Sequence, residues 1–166
     1  FEYKKKIDWK KREEELLKLL DRFRSKDATY DCVVPSSGGK DSAYVAHELK
    51  TKYGMNPISV TWSPLQYTDI GFQNLQSYND SGFDVIMGMP RGDMKRKMCR
   101  EALIEMGDPF QGFIYGQVLF PVTVAINYGI RLIFRGENAE AEYGGNKDSW
   151  DKKYLSLEDF KKVYFS

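Results

Sequence analysis

The residues best suited to chemistry stand together at 36–42, in the run SSGGKDS. Two adjacent glycines let the backbone turn sharply and come close to a ligand. Between a strand and a helix, such a turn aims successive amide N–H groups at one point. That point lies beside a helix N-terminus carrying about half a positive charge. Ser37 and Ser42 add hydroxyl donors, and Lys40 adds a full charge. The chemistry favoured is the binding of phosphate or pyrophosphate. A Walker A loop is excluded. It would need Gly where Cys32, Val33 and Val34 run into the turn, and Ser or Thr in place of Asp41. G-x-G-x-x-G is absent as well. The simpler alternative is a helix N-cap after a Gly turn. Against it, five fixed positions in S-G-G-x-D-S, at about 7% usage each, coincide by chance in roughly three of ten thousand such chains.

The elements that must position this loop follow from periodicity. Residues 8–24 read as a helix, with Leu16, Leu19, Leu20 and Phe23 at helical spacing. Short β-prone runs occur at 30–35 (YDCVVP), 57–62 (PISVTW), 83–87 (FDVIM) and 130–134 (IRLIF). Helical stretches are expected at 42–53, 70–81, 93–106 and 117–128. In the third of these, Met94, Met98, Leu103 and Met106 fall near one stripe. Strands separated by helices imply βαβ units and a parallel sheet. Residues 135–150 (RGENAEAEYGGNKDSW) form a Gly-rich acidic loop at the sheet's carboxyl edge, and 157–164 reads as a short helix. Three parts are therefore expected: an N-terminal helical segment at 1–26 packed on the domain, a nucleotide-binding domain at 27–150, and a C-terminal helical segment at 151–166.

Composition sets the outer limits. The chain has 166 residues, 25 Lys plus Arg against 24 Asp plus Glu, and a net charge of +1. That balance disfavours a nucleic-acid partner that reads phosphate by bulk charge. Ten basic and six acidic side chains fall in residues 1–26, and 15 and 18 in the remainder. A tRNA-binding arm at the start is thus conceivable, but Glu13, Glu14 and Glu15 interrupt it. No apolar run reaches 18 residues, so no membrane span is expected. Cys32 and Cys99 are far apart and lack neighbours at metal spacing, which points to a reducing, cytoplasmic compartment. A start at Phe1 without Met is what an excised segment of a longer protein would show.

The run SGGKDS after an apolar strand resembles the PP-loop ATP pyrophosphatases. That resemblance implies a Rossmann-like parallel sheet of the adenine nucleotide alpha-hydrolase type, order 3-2-1-4-5, with flanking helices. Ligands of such sheets bind at the switch point between the first and fourth strands, where 37–42 and 135–137 converge. Residues 34–50 (VPSSGGKDSAYVAHELK), 60–76 (VTWSPLQYTDIGFQNLQ) and 136–145 (GENAEAEYGG) are similar to the N-acetyl sugar amidotransferases of bacterial surface-polysaccharide and pseudaminic-acid pathways. The likeness runs from about residue 1 to about 150. The Cys-rich segment usual upstream in that family has no counterpart here.

The resemblance implies an activity. The acetamido oxygen of an N-acetylated sugar attacks the α-phosphorus of ATP, and pyrophosphate leaves. Ammonia then displaces AMP to give an acetamidino group. Pro35, Ser36, Ser37, Gly38, Gly39, Lys40, Asp41 and Ser42 would cradle the phosphates. Val60, Thr61 and Trp62 would meet the adenine, with Trp62 either stacking on the base or packing in the core. Gly136 would allow close approach to ribose or phosphate. Asp41 would bring Mg²⁺ or merely cap its helix, and Lys40 would neutralise charge or stay solvated. Glu137, Asn138 and Tyr143 are candidates for acceptor binding, with Glu137 also a candidate catalytic group beside Lys40 and Asp41. For Glu140 and Glu142 an exposed acidic loop is the better reading. His47 reads as a surface residue and Cys32 as buried core. Cys99 stands among Lys95, Arg96, Lys97 and Arg100. No glutaminase signature is present, so the resemblance implies a separate glutaminase with an ammonia-channel subunit. Three other readings remain: a tRNA-modifying PP-loop enzyme, a non-catalytic adenine-nucleotide module, and a flavodoxin-like or universal-stress-like domain in which the glycines only turn the chain.

Overall fold

Asp8 starts the first helix, α1 (Trp9–Phe23), by accepting the Lys11 amide on its carboxylate at 3.0 Å. The computed structural model describes residues 6–27 and 29–137. The expectations placed on 138–166, including Asn138, Tyr143 and the helix at 157–164, lie outside the described residues. Of the four apolar positions expected along α1, Leu20 is fully buried and Leu16 half-buried, whereas Leu19 stays exposed. Arg24 ties the end of α1 to the following unit, donating to the carbonyls of Gly54 at 2.6 Å and Tyr53 at 2.9 Å.

The sheet is parallel and three-stranded: β1 (Cys32–Pro35), β2 (Pro57–Trp62) and β3 (Val85–Gly88), in the order β1-β2-β3. Cys32 stands opposite Pro57, and Ser59 opposite Val85. The helices are α2 (Lys40–Thr51), α3 (Asp69–Asp80), α4 (Gly92–Met106) and α5 (Gln111–Asn127). Alternation along the strands sends successive side chains to opposite faces. Cys32 and Val34 pack with Leu20, Ala46, Leu49 and Tyr78, from α1, α2 and α3. Val33, Ile58 and Val60 pack instead with Val124, Ala125 and Phe120 of α5. The chain thus winds outward from β1 to β3 along one face and returns along the other.

Where the return ends, Val33 donates to the Leu132 carbonyl and accepts from the Phe134 amide, each at 2.9 Å. Ser36, of opposite parity, donates to Val60 of β2. Residues 132–134 therefore run parallel to β1 along its other edge, through a single bridge at Ile133. The strand expected over 130–134 is reduced to this bridge, and no fifth strand occurs among the described residues. The physical reason lies in the preceding turn. Gly129 and Ile130 donate back to Ile126 and Ala125 at the end of α5, so pairing cannot begin before residue 132.

Two helical expectations also change. α5 begins six residues earlier than residue 117, and the added stretch contains Gly112 and Gly116, both poor helix formers. Packing overrides propensity here: a Cβ on Gly116 would lie 2.0 Å from Nε1 of Trp62. The apolar stripe of α4 is not buried. Met94, Met98, Leu103 and Met106 are all exposed, because α4 packs against α5 and contributes no buried residue. Among the described residues no single helix is long and apolar enough to cross a membrane. α4 and α5 qualify only as a pair bent by 118°.

Candidate functional site in the loop after the first strand

Pro35 closes β1, and the chain then crosses the carboxyl edge of the sheet. Ser36 remains buried and donates its amide to the Val60 carbonyl at 2.9 Å. Gly38 has φ of +80°, a conformation that disfavours any side chain. A Cβ there would also press on Leu75, 3.1 Å from its amide nitrogen. The turn therefore lies directly on the backbone of α3. Gly39 is the N-cap of α2 and brings no side chain to its first-turn amides. Ser42 donates its hydroxyl to the Gly39 carbonyl at 3.1 Å. Ser37, Gly39, Lys40 and Asp41 are exposed, and Ser42 is half-buried. Lys40 Nζ grips both carboxylate oxygens of Asp41, at 2.7 and 2.8 Å. Both partners face solvent, where such pairs contribute little and exchange readily. An arriving anion would compete with Asp41 for Lys40.

Beneath the loop runs a chain of hydroxyls. Ser36 Oγ lies 3.2 Å from Ser42 Oγ and accepts the Gly38 amide at 3.4 Å. Thr61 donates its hydroxyl to the Ser36 carbonyl. Tyr78 of α3 pairs with the buried Ser59 hydroxyl of β2. Burial pushes the Tyr78 phenol above its ordinary range, with the Ser59 contact opposing that rise. Ser36 is thus turned inward and holds the loop together. Ser59 and Tyr78 were not singled out in the sequence. The signal was present: a serine in the middle of a buried strand needs a buried partner, and Tyr78 lies one helical turn from Leu75 on the core side of α3.

Gly136 forms the opposite wall. The sequence suggested a close approach to ribose or phosphate, and the close approach found is to protein. A Cβ on Gly136 would sit 2.8 Å from the carbonyl carbon of Asp41 and 2.8 Å from the amide nitrogen of Ser42. Gly136 and the first turn of α2 are in backbone contact, and the exposed Glu137 follows at the same edge.

At the end of β2, Trp62 takes the core-packing alternative. Val60 uses its carbonyl in the sheet, and the side chains of Val60 and Thr61 are enclosed. Trp62 packs into the core corner formed by Gly116, Gly88 and Phe120, its indole 5.3 Å from the Phe120 ring. Past Trp62 a small cleft is walled by Leu65, Met98 and Phe113. Lys95 borders it, donating to Ser63 Oγ at 2.9 Å and to the Pro64 carbonyl at 2.8 Å. Cys99 is half-buried on the same wall. Cys32 is fully enclosed in β1, and burial together with the Asp31 charge pushes its thiol up to about 12. His47 is exposed on α2. No three His, Cys, Asp or Glu side chains gather as a metal cage among the described residues. No family model matches the chain, and no curated protein matches it.

Proposed function

We propose that the chain binds ATP through residues 36–42 and activates an amide oxygen by adenylation, in an amidotransferase that converts the acetamido group of an N-acetylated sugar to an acetamidino group for surface-glycan biosynthesis. The observation that carries this reading is the loop itself. A Gly-Gly turn leaves a central parallel strand and delivers an N-terminus of α2 without a side-chain cap, on the edge where β2 and residues 132–134 flank β1. Amides at that place are suited to the charge that develops on departing pyrophosphate.

In the first step the acetamido oxygen forms a bond to the α-phosphorus, and the bond to the bridging α–β oxygen breaks. Pyrophosphate leaves with that electron pair. Ser37, the Gly38–Gly39 turn and Ser42 would hold it, with Lys40 shifting from Asp41 toward the phosphates. In the second step ammonia adds to the activated carbon and AMP departs with the former amide oxygen. Mg²⁺ fits this loop only as an ion carried by the phosphates: Asp41 offers one carboxylate, and waters would complete the shell. Its chemistry there is neutralisation of phosphate charge. Glu137 stands at the edge where the acceptor would enter. Ammonia would come from a separate glutaminase through a channel subunit.

Titration calorimetry with ATP and Mg²⁺ tests the first half. Mass spectrometry of reactions with ATP, ammonium and a panel of N-acetylated sugars tests the second. Replacing O by NH lowers the product mass by about one dalton and creates a strongly basic cation. AMP and pyrophosphate should appear together, and ADP as the sole nucleotide product would defeat the proposal. Asp41→Ala and Gly39→Val should abolish pyrophosphate release with the fold intact. Gly39 has an ordinary φ of −75°, and a Cβ there meets only Ser37 Oγ at 3.4 Å.

A further inference from the structure

We infer that Thr61 is a positioning residue for the anion loop, its buried hydroxyl holding the Ser36 carbonyl and so setting the peptide plane from which the loop leaves the sheet. The identity of the ligand rests on the ATP reading above, but the geometry does not. β1 ends at Pro35, and Ser36 is the next residue. Neighbouring positions of β2 hold it on both sides of its Cα: the Val60 carbonyl accepts its amide at 2.9 Å, and the Thr61 hydroxyl donates to its carbonyl. That carbonyl shares one rigid plane with the Ser37 amide, and in a trans peptide the two point opposite ways. With the carbonyl drawn toward β2, the Ser37 N–H is turned away from β2, to the side of β1 where residues 132–134 run. The Ser36 side chain carries the constraint onward. Its Oγ lies 3.2 Å from Ser42 Oγ and accepts the Gly38 amide at 3.4 Å, so both ends of the turn are referred to one residue. Thr61 is 1% exposed. At that depth water does not take over as donor when the hydroxyl is removed, and the carbonyl must turn to find another. A threonine serving packing alone would be replaced by valine, of the same branching and nearly the same size, without consequence for residues 36–42. A positioning threonine would not, and serine would restore the link.

The experiment compares amide hydrogen exchange in the wild-type chain, Thr61→Val and Thr61→Ser, with Ser59→Ala as a control. Ser59 is a buried hydroxyl on the same strand, and it pairs with Tyr78 of α3 instead of a loop residue. Thr61→Val should speed exchange of the Ser36 and Gly38 amides by about tenfold while α1 and α5 keep their protection, and Thr61→Ser should stay within about twofold of wild type. In parallel, calorimetric affinity for pyrophosphate with Mg²⁺ should fall about fivefold to tenfold in Thr61→Val and recover in Thr61→Ser, with adenosine affinity unchanged. Ser59→Ala should alter neither loop exchange nor pyrophosphate affinity. Unchanged loop exchange in Thr61→Val, equal acceleration in Thr61→Ser or Ser59→Ala, or acceleration spread evenly over the chain would overturn the inference. If Thr61→Val does not fold, Thr61→Ala removes the same hydroxyl and is read by the same criteria. A wild-type chain that binds neither pyrophosphate nor ATP defeats the nucleotide reading, and the exchange comparison still decides the role of Thr61.

Discussion

The two faces of one sheet are built for different tasks. On the face toward α5, β1 and β2 present Val33, Ile58, Val60 and Trp62 to Phe120, Val124 and Ala125. Those side chains are apolar, apart from the indole N–H, and pack with little space to spare. On the face toward α2 and α3, the intervening positions are Ser59 and Thr61: the Ser59 hydroxyl pairs with Tyr78 of α3, and the Thr61 hydroxyl donates to the Ser36 carbonyl at the start of the loop. Alternation with period two lets four consecutive residues, 58–61, serve both faces. One face supplies burial energy and tolerates no shape change. The other supplies directional bonds, which fix where a backbone goes.

That contrast can be broken from either side. The largest effect should come at the seam: Gly136→Val forces a side chain into the backbone of Asp41 and Ser42, which cannot yield as a flexible side chain would. We expect ATP affinity to drop by about a hundredfold or more in calorimetry, because a loop displaced by about an ångström loses its geometry. Leu20→Ala, at a fully buried position, should lower stability in urea by about 2–5 kcal/mol. On the tightly packed face, Gly116→Ala should cost about 1–3 kcal/mol by the same measurement while leaving pyrophosphate affinity unchanged, since only the Trp62 indole must move.

The thiols give a smaller and pH-dependent test. The Cys32 thiol is raised to about 12 in the folded chain, from an ordinary value of 9.0. Unfolded chains therefore release this proton first. The contribution is complete below about pH 9 and is lost as pH rises toward 12, at roughly 1 kcal/mol per pH unit. Urea midpoints between pH 8 and 10.5 should fall less steeply in Cys32→Ala than in wild type. A thiol reagent should label Cys99 in the folded chain and reach Cys32 only after unfolding. Smallest of all, Glu13→Gln should leave the urea midpoint unchanged. The Lys52 contact holds the Glu13 carboxyl below its usual range, but both partners lie in solvent.

Much of the architecture was legible because it is local. The run PISVTW marks β2 to the residue, and SSGGKDS marks the bend into α2. Long-range packing was not legible. The start of α5 was hidden by Gly112 and Gly116, whose presence reflects Met98 and the Trp62 indole on the far side of the contact. The Met94–Met106 stripe of α4 has helical spacing, and spacing does not say whether anything covers it. In the loop, the residue types suggested anion chemistry. Nothing local distinguished Ser36, which faces inward, from Ser37, which faces out. That distinction is made across the sheet by Val60 and Thr61, which accept the Ser36 amide and bond its carbonyl.

The bridge between Val33 and Ile133 joins positions a hundred residues apart. Helix-linked neighbours such as β1 and β2 need only short closures, whereas this contact waits for nearly the whole described chain. During synthesis at about 5–20 residues per second, the glycine turn would emerge several seconds before the wall that faces it. A nascent chain thus carries the glycine turn without its facing wall while about a hundred further residues are made. Any binding that needs both walls would wait for that bridge to close.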